Sequence, residues 1–172
     1  MKCRANIAVL FSFCALIASA QSAPGEQGDA QQTQVRGYWV DPSTRLMWAA
    51  KDSKDVSWSG AKKYCRNLRL AGNSDWRLPN MAELQGIYDL HANAPGLAGY
   101  RKKQRDFTWH VKGNLFLTGD QWSSNYLMDD RGRFSGYAMY FDFNEGKPNE
   151  DPTGFPYPFD GMRALCVRGP QK

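Results

Sequence analysis

"NSDWRLPNMAEL", Asn73 to Leu84, decides how the chain is read. Asn80 followed three residues later by Glu83 has the form of a capping box, with Asn in place of Ser or Thr. Met81, Leu84, Ile87 and Tyr88 then supply the apolar stripe of a helix. Pro79 stands just before the cap and forces Leu78 toward an extended conformation. Trp76 and Leu78 alternate with Arg77, as in a short extended segment that turns two side chains inward. Asp75 or a backbone carbonyl would satisfy Arg77. The stretch therefore has a complete account as a structural joint between an extended segment and a helix. A ligand site at Asp75, Trp76 and Arg77 is the competing reading.

On the N-terminal side, "VSWSGAKKYCRNL" gives a second helix with Ser57 as N-cap. Trp58, Ala61, Cys65 and Leu68 fall on its inner face, and Lys62, Lys63 and Arg66 on its wet one. "VRGYWVDPSTRLMW" is expected to form two short strands around Asp41-Pro42-Ser43-Thr44, where proline's fixed φ suits a turn.

The first 20 residues read as an export signal. Lys2 and Arg4 form a positive start, Ile7 to Ala18 is almost entirely apolar, and Ala18-Ser19-Ala20 has the small residues of a cleavage site. Ala23 is a second candidate for the cut, and a retained anchor is the alternative. The apolar run is shorter than the ~20 residues that span a bilayer. Residues 21–34 lack any large apolar side chain, so they cannot offset their ordering entropy by burial and are expected to be a disordered linker. The expected domain runs from 35 to 172. Removing 20 residues from 172 leaves 152, enough for one ordinary domain with a real core. The leader takes two positive charges with it, so the net charge falls from +5 to +3. That mild balance does not by itself imply a nucleic-acid partner.

Only Cys65 and Cys166 remain after the leader. In an exported protein two cysteines most simply form one disulfide. A metal-bound or reactive pair is the competing reading, with His91 and His110 as the only histidines and neither at ligand-like spacing.

Toward the C-terminus, residues 91–120 have no sustained period and read as a long loop region with one short strand at Asn114 to Thr118. Long ordered loops are more often functional than connective. "QWSSN" is a short strand. "GYAMYFDFN" alternates strictly, with Tyr137, Met139, Phe141 and Phe143 on one side and Ala138, Tyr140 and Asp142 on the other. "KPNEDPTGFPYPFDG" reads as a proline-rich loop, and "MRALCVRG" as a final strand that brings Cys166 to the helix cysteine. The order of elements is α+β, two helices with a small, mostly antiparallel sheet and long loops.

Six pieces together resemble the Lcl C-terminal domain family: "STRLMW" (Ser43–Trp48), "SWSGAKKYC" (Ser57–Cys65), "DWRLPNMAEL" (Asp75–Leu84), "WSS" (Trp122–Ser124), "YFDFNEG" (Tyr140–Gly146) and "RALCVRG" (Arg163–Gly169). They run in family order over about 35 to 169. The resemblance implies a C-type-lectin-like fold of secreted bacterial proteins and a Cys65–Cys166 bridge; the residues themselves give Trp76, Arg77, Pro79 and Trp122 structural roles. It also implies ligand contacts from the loops at 91–120 and 144–160. The adhesin for which the family is named suggests sulfated polysaccharides or other surface partners. The chain departs from the family where glycine is usual and Arg45 stands, and where arginine is usual and Leu165 precedes Cys166.

Chemistry is sparse. The loop with Asn144, Glu145, Asn149, Glu150 and Asp151 has oxygen ligands, yet it lacks the signatures of calcium-dependent lectins, and Lys147 would oppose a cation. No metal or cofactor is expected. No nucleophile elbow or His-Glu-x-x-His occurs, so the chain reads as a non-enzyme. The sharpest feature is "YRKKQRD". There Arg101, Lys102, Lys103 and Arg105 crowd together, flanked by Tyr100 and Trp109. Planar guanidinium forks suit sulfate, and rings suit sugar faces. A solvated basic loop is the bland reading. The expectation is an exported, periplasmic or extracellular binding module for an anionic glycan. The alternative is a structural protein that binds an envelope or extracellular protein through the same loops.

Overall fold

A computed structural model describes residues 32–99, 103–153 and 161–170. The export signal, Tyr100, Arg101, Lys102 and the aromatic loop at 154–160 lie outside the described residues. The chain is helical over 32–36 (α1), where Thr33 is buried and Gln34 Nε2 donates to the Asn114 carbonyl at 2.8 Å. Thr33 and Gln34, inside the stretch expected to be linker, are thus already packed against the domain.

β1 (Tyr38–Val40) and β2 (Met47–Ala49) pair around the expected turn. Asp41 holds that turn, its carboxylate accepting from Ser43 N, Ser43 Oγ and Thr44 Oγ1. Arg45 closes it at φ 63°, in the left-handed region that glycine occupies without cost. α2 (Trp58–Asn67) begins as expected, with Gly60 N donating to Ser57 Oγ. Trp58, Ala61 and Cys65 are its buried residues. α3 (Met81–Gly86) carries the full capping box.

The region 91–120 is not the loop the composition suggests. β3 (Ala94–Ala98) and β4 (Arg105–Trp109) form an antiparallel pair in register from Ala94 opposite Trp109 to Ala98 opposite Arg105. Residues 114–118 make only single bridges, Lys51 to Phe116 and Gly96 to Leu117. β5 (Asp120–Met128) and β6 (Phe134–Asp142) form a long hairpin. β7 (Lys147–Pro152) pairs with β6 inside the expected proline-rich loop. Its Pro148 and Pro152 are tolerated because β7 is an edge strand.

The final segment is two strands instead of one. β8 (Met162–Arg163) runs parallel to β5, and β9 (Val167–Arg168) runs antiparallel to β2. The described residues therefore form three sheets, β1-β2-β9, β3-β4 and β7-β6-β5-β8, instead of one small sheet. The α+β class holds, and every strand pair except β5·β8 is antiparallel.

Among the described residues there are two apolar cores, and the period-2 strands feed both. On β6, Phe141 enters the first core, which Phe143 just beyond it also joins, while Ala138 enters the second. The closing segment does the same. Leu165 and Val167 belong to the first core, and Met162, Ala164 and Cys166 to the second. The alternation expected on β6 is therefore real, and the closing segment alternates in the same way, with each face covered by a different cluster. Cys65 and Cys166, both fully buried, are bonded across the second core.

Candidate functional site

The opening stretch is a joint. Trp76 and Leu78 are buried in the second core. Arg77 exchanges backbone hydrogen bonds with Val167, at 2.8 and 3.0 Å. Its guanidinium grips Glu83 with two nitrogens at 2.8 and 2.7 Å and donates to the Gly169 carbonyl at 3.2 Å. Asp75 is not its partner, because Asp75 pairs instead with Arg168 at 2.8 Å. The Pro79 carbonyl accepts from Ser124 N, and Met81 N donates to Asn125 Oδ1. Those contacts use the irregular register of β5 after Trp122, itself buried and donating from Nε1 to the Val56 carbonyl. The Arg77 guanidinium and backbone, the Pro79 carbonyl and the Met81 N–H are thus committed to holding sheets and helix together.

Of the basic segment, Lys103 and Gln104 lie just before β4 and Arg105 opens it, paired with Ala98 of β3. Gly99, at φ +110°, lies so close to the Lys103 carbonyl that a side chain there would meet it at 2.7 Å. Lys103 and Arg105 are exposed. Trp109, expected among the ligand-binding rings, is 5% exposed in the first core, and its Nε1 donates to the Leu97 carbonyl. Its ring packs edge-on against Phe107 at 4.9 Å between centroids, so it anchors the hairpin and presents no face to solvent.

Beside this segment is a cleft of about 390 Å³. Gln104 lines it together with Lys51, Lys54, Phe116 and the polar floor. On the floor, Asp52 accepts from Thr118 N at 2.7 Å, Thr118 Oγ1 at 2.9 Å and Gln121 Nε2 at 2.8 Å. Burial pushes its carboxyl up to about 6, against the pull of those donors and of Arg163. Arg163, buried at 3% exposure, donates from Nε to Thr118 Oγ1 at 2.7 Å and from Nη1 to Asp55. Its own charge is thus balanced within the floor. Lys51 and Lys54, both exposed, give the rim its positive sign. Nothing in the sequence linked these two lysines to the basic segment. The parallel bridges of Lys51 to Phe116 and of Gly96 to Leu117, with the β3–β4 pairing, bring them to the cleft that Gln104 lines.

A second charged face has the opposite sign. Burial, then the charges of Asp142 and Glu145, raise the Asp120 carboxyl to about 7. Tyr140 is raised by burial, then by Asp120, Asp151 and the same two acids. Among the described residues, no three His, Cys, Asp or Glu side chains are grouped to hold a metal ion. Among them also, no helix is long and apolar enough to cross a membrane.

No curated protein and no solved structure matches the chain at a significant level. The sequence model of the Lcl C-terminal domain family matches residues 37–168, which span both cores, the joint, the disulfide and the cleft. The chain therefore belongs to the Lcl C-terminal domain family.

Proposed function

We propose that the protein is an exported, non-catalytic binding module with a C-type-lectin-like fold, and that it recognises an anionic polysaccharide at the cleft lined by Gln104. The observation that carries this reading is Gln104. It sits inside the basic segment and lines the same cleft as Lys51 and Lys54. Lys51 and Lys54 thus border a concavity that is also lined by a residue lying between Lys103 and Arg105 in the sequence, and positive charge around a concavity concentrates a polyanion by focusing field lines. Arg101, Lys102, Lys103 and Arg105 supply the sequence-adjacent charges. Sulfate or carboxylate groups would be met by lysine point charges and arginine forks. The Cys65–Cys166 bridge accords with an oxidising compartment, periplasmic or extracellular.

The test is retention of the oxidised protein on immobilised heparin in a salt gradient, beside a generic cation exchanger. Neutralising Arg101, Lys102, Lys103 and Arg105 in one variant, and Lys51 and Lys54 in another, should each shorten retention on heparin specifically. Equal retention of all three proteins would overturn the assignment and favour a protein partner.

A further inference from the structure

The β5–β6 hairpin leaves a group of rings outside both cores. Tyr126, Met128 and Phe134 are 46%, 55% and 46% exposed, high values for side chains of this size. They are nevertheless fixed in place. Trp58, the first residue of α2, is buried and donates from Nε1 to the Ser123 carbonyl at 2.8 Å. Phe134 stacks on it at 5.6 Å between centroids and 23° between planes. Tyr126 meets both rings edge-on, at 5.8 Å from Trp58 and 5.6 Å from Phe134. Lys62 Nζ sits 3.3 Å from the centre of a Trp58 ring. Opposed residues on an antiparallel pair share a face, which adds Met128 beside its partner Phe134.

We propose that this ring cluster is a second contact surface for the same polyanion, on which a sugar ring packs against Tyr126 and Phe134 while Lys62 and Arg131 meet its charged groups. The proposal rests on the binding reading above, and three observations carry it. The apolar centre has Lys62 over Trp58 and, in the turn between Met128 and Phe134, the exposed Arg131, while Arg133 takes up the Asp129 carboxylate of that turn, so an anion with apolar faces has two cations to meet. The patch is a few half-exposed side chains, whereas a standard protein interface buries about 800 Å² and some 20–30 residues on each side. A sugar ring fits that scale and a folded partner does not. Finally, Asp55 lines the cleft and Trp58 lies three residues on, which puts their Cα atoms at most about 11 Å apart. One continuous polymer can lie across both surfaces. Rings already held by their neighbours lose little freedom on binding.

Calorimetric titration of the full oxidised chain with heparin oligosaccharides of increasing length tests this. Wild-type affinity should rise with length until both surfaces are occupied. The double variant Tyr126→Ser/Phe134→Ser should bind the shortest oligosaccharides as wild type does, and the longest about tenfold more weakly, the scale of one lost ring contact. Lys62→Gln, which leaves the rings in place, should lose part of the same increment. Lys51→Gln/Lys54→Gln should lose affinity at every length. Wild-type affinity of the ring variant at all lengths would overturn the second surface and leave the cleft standing. Lack of binding by the wild type at any length would overturn both. Self-association of the free wild type, abolished by the ring variant in sedimentation, would overturn the sugar assignment and give the patch to a protein contact.

Discussion

Glu83 holds Arg77 and Asn80 at once: its Oε2 lies 2.8 Å from Arg77 Nη1 and 2.8 Å from Asn80 N, while Oε1 takes Arg77 Nη2 at 2.7 Å. One carboxylate thus completes the cap of α3 and neutralises the arginine that pairs with β9 through its backbone. The Glu83 side chain is only 6% exposed and that of Arg77 21%, so removing one partner strands the other in poor solvent. Glu83→Ala should cost about 3–5 kcal/mol in urea unfolding. Glu83→Gln, which keeps an acceptor for the cap, should cost distinctly less. Equal losses would mean the charge contributes nothing.

The disulfide closes a sequence separation of 101 residues. Cys65→Ala/Cys166→Ala should lower stability by about 2–5 kcal/mol, read from the denaturation midpoint of oxidised wild type against the variant. Wild type in reductant should approach the variant.

Arg45 at φ 63° is a position for glycine. A left-handed conformation costs an ordinary residue roughly 1–2 kcal/mol, partly offset because glycine is freer in the unfolded chain. Arg45→Gly should therefore raise stability, by about 1 kcal/mol or less, and should raise the melting temperature. A fall would mean that the Arg45 side chain makes a compensating contact.

Asp120, raised to about 7, makes stability depend on pH. Its folded-state value lies above the unfolded one, so between those two values the folded protein binds more protons. Stability then falls as pH rises from about 4 toward 7, because folding must accept a buried charge beside Asp142 and Glu145. Asp52, raised to about 6, acts in the same direction. Asp120→Asn should flatten the slope without abolishing it, stabilising the protein at pH 8 and little at pH 4. Parallel melting curves across that range in both proteins would refute the assignment.

Trp109 should act through the core. Trp109→Ala should cost about 3–5 kcal/mol by opening a cavity and detaching the β3–β4 hairpin. Trp109→Phe, which keeps most of the volume, should leave heparin retention unchanged if the variant is folded.

Local signals in the chain were legible. The capping box at Asn80 and Glu83, the Ser57 cap, the Asp41 turn and the alternation of β6 all depend on residues a few positions apart, and the structure carries each one. What escaped the sequence depends on distant approach. "APGLA" has the composition of a loop, yet Gly96 is required because a side chain there would meet the Leu117 carbonyl at 2.1 Å and the Trp109 ring at 2.6 Å. β7 hides behind two prolines because an edge strand can lose donors without breaking its single ladder. At the candidate site the basic run was visible. Its companions Lys51 and Lys54 were not, and neither was the pairing of Tyr126 with Phe134, since each is made only by folding.

The segment Met162–Arg168 couples the two halves of the interior. Within seven residues it supplies alternate side chains to both cores, the outer strands of two sheets and one half of the disulfide. Without it the domain has two open clusters, a lone Cys65 thiol, and no strand for Arg77 to pair with. Neither cluster can be sealed while the other stays open. One short piece of backbone therefore makes the folding of the two cores a single cooperative event.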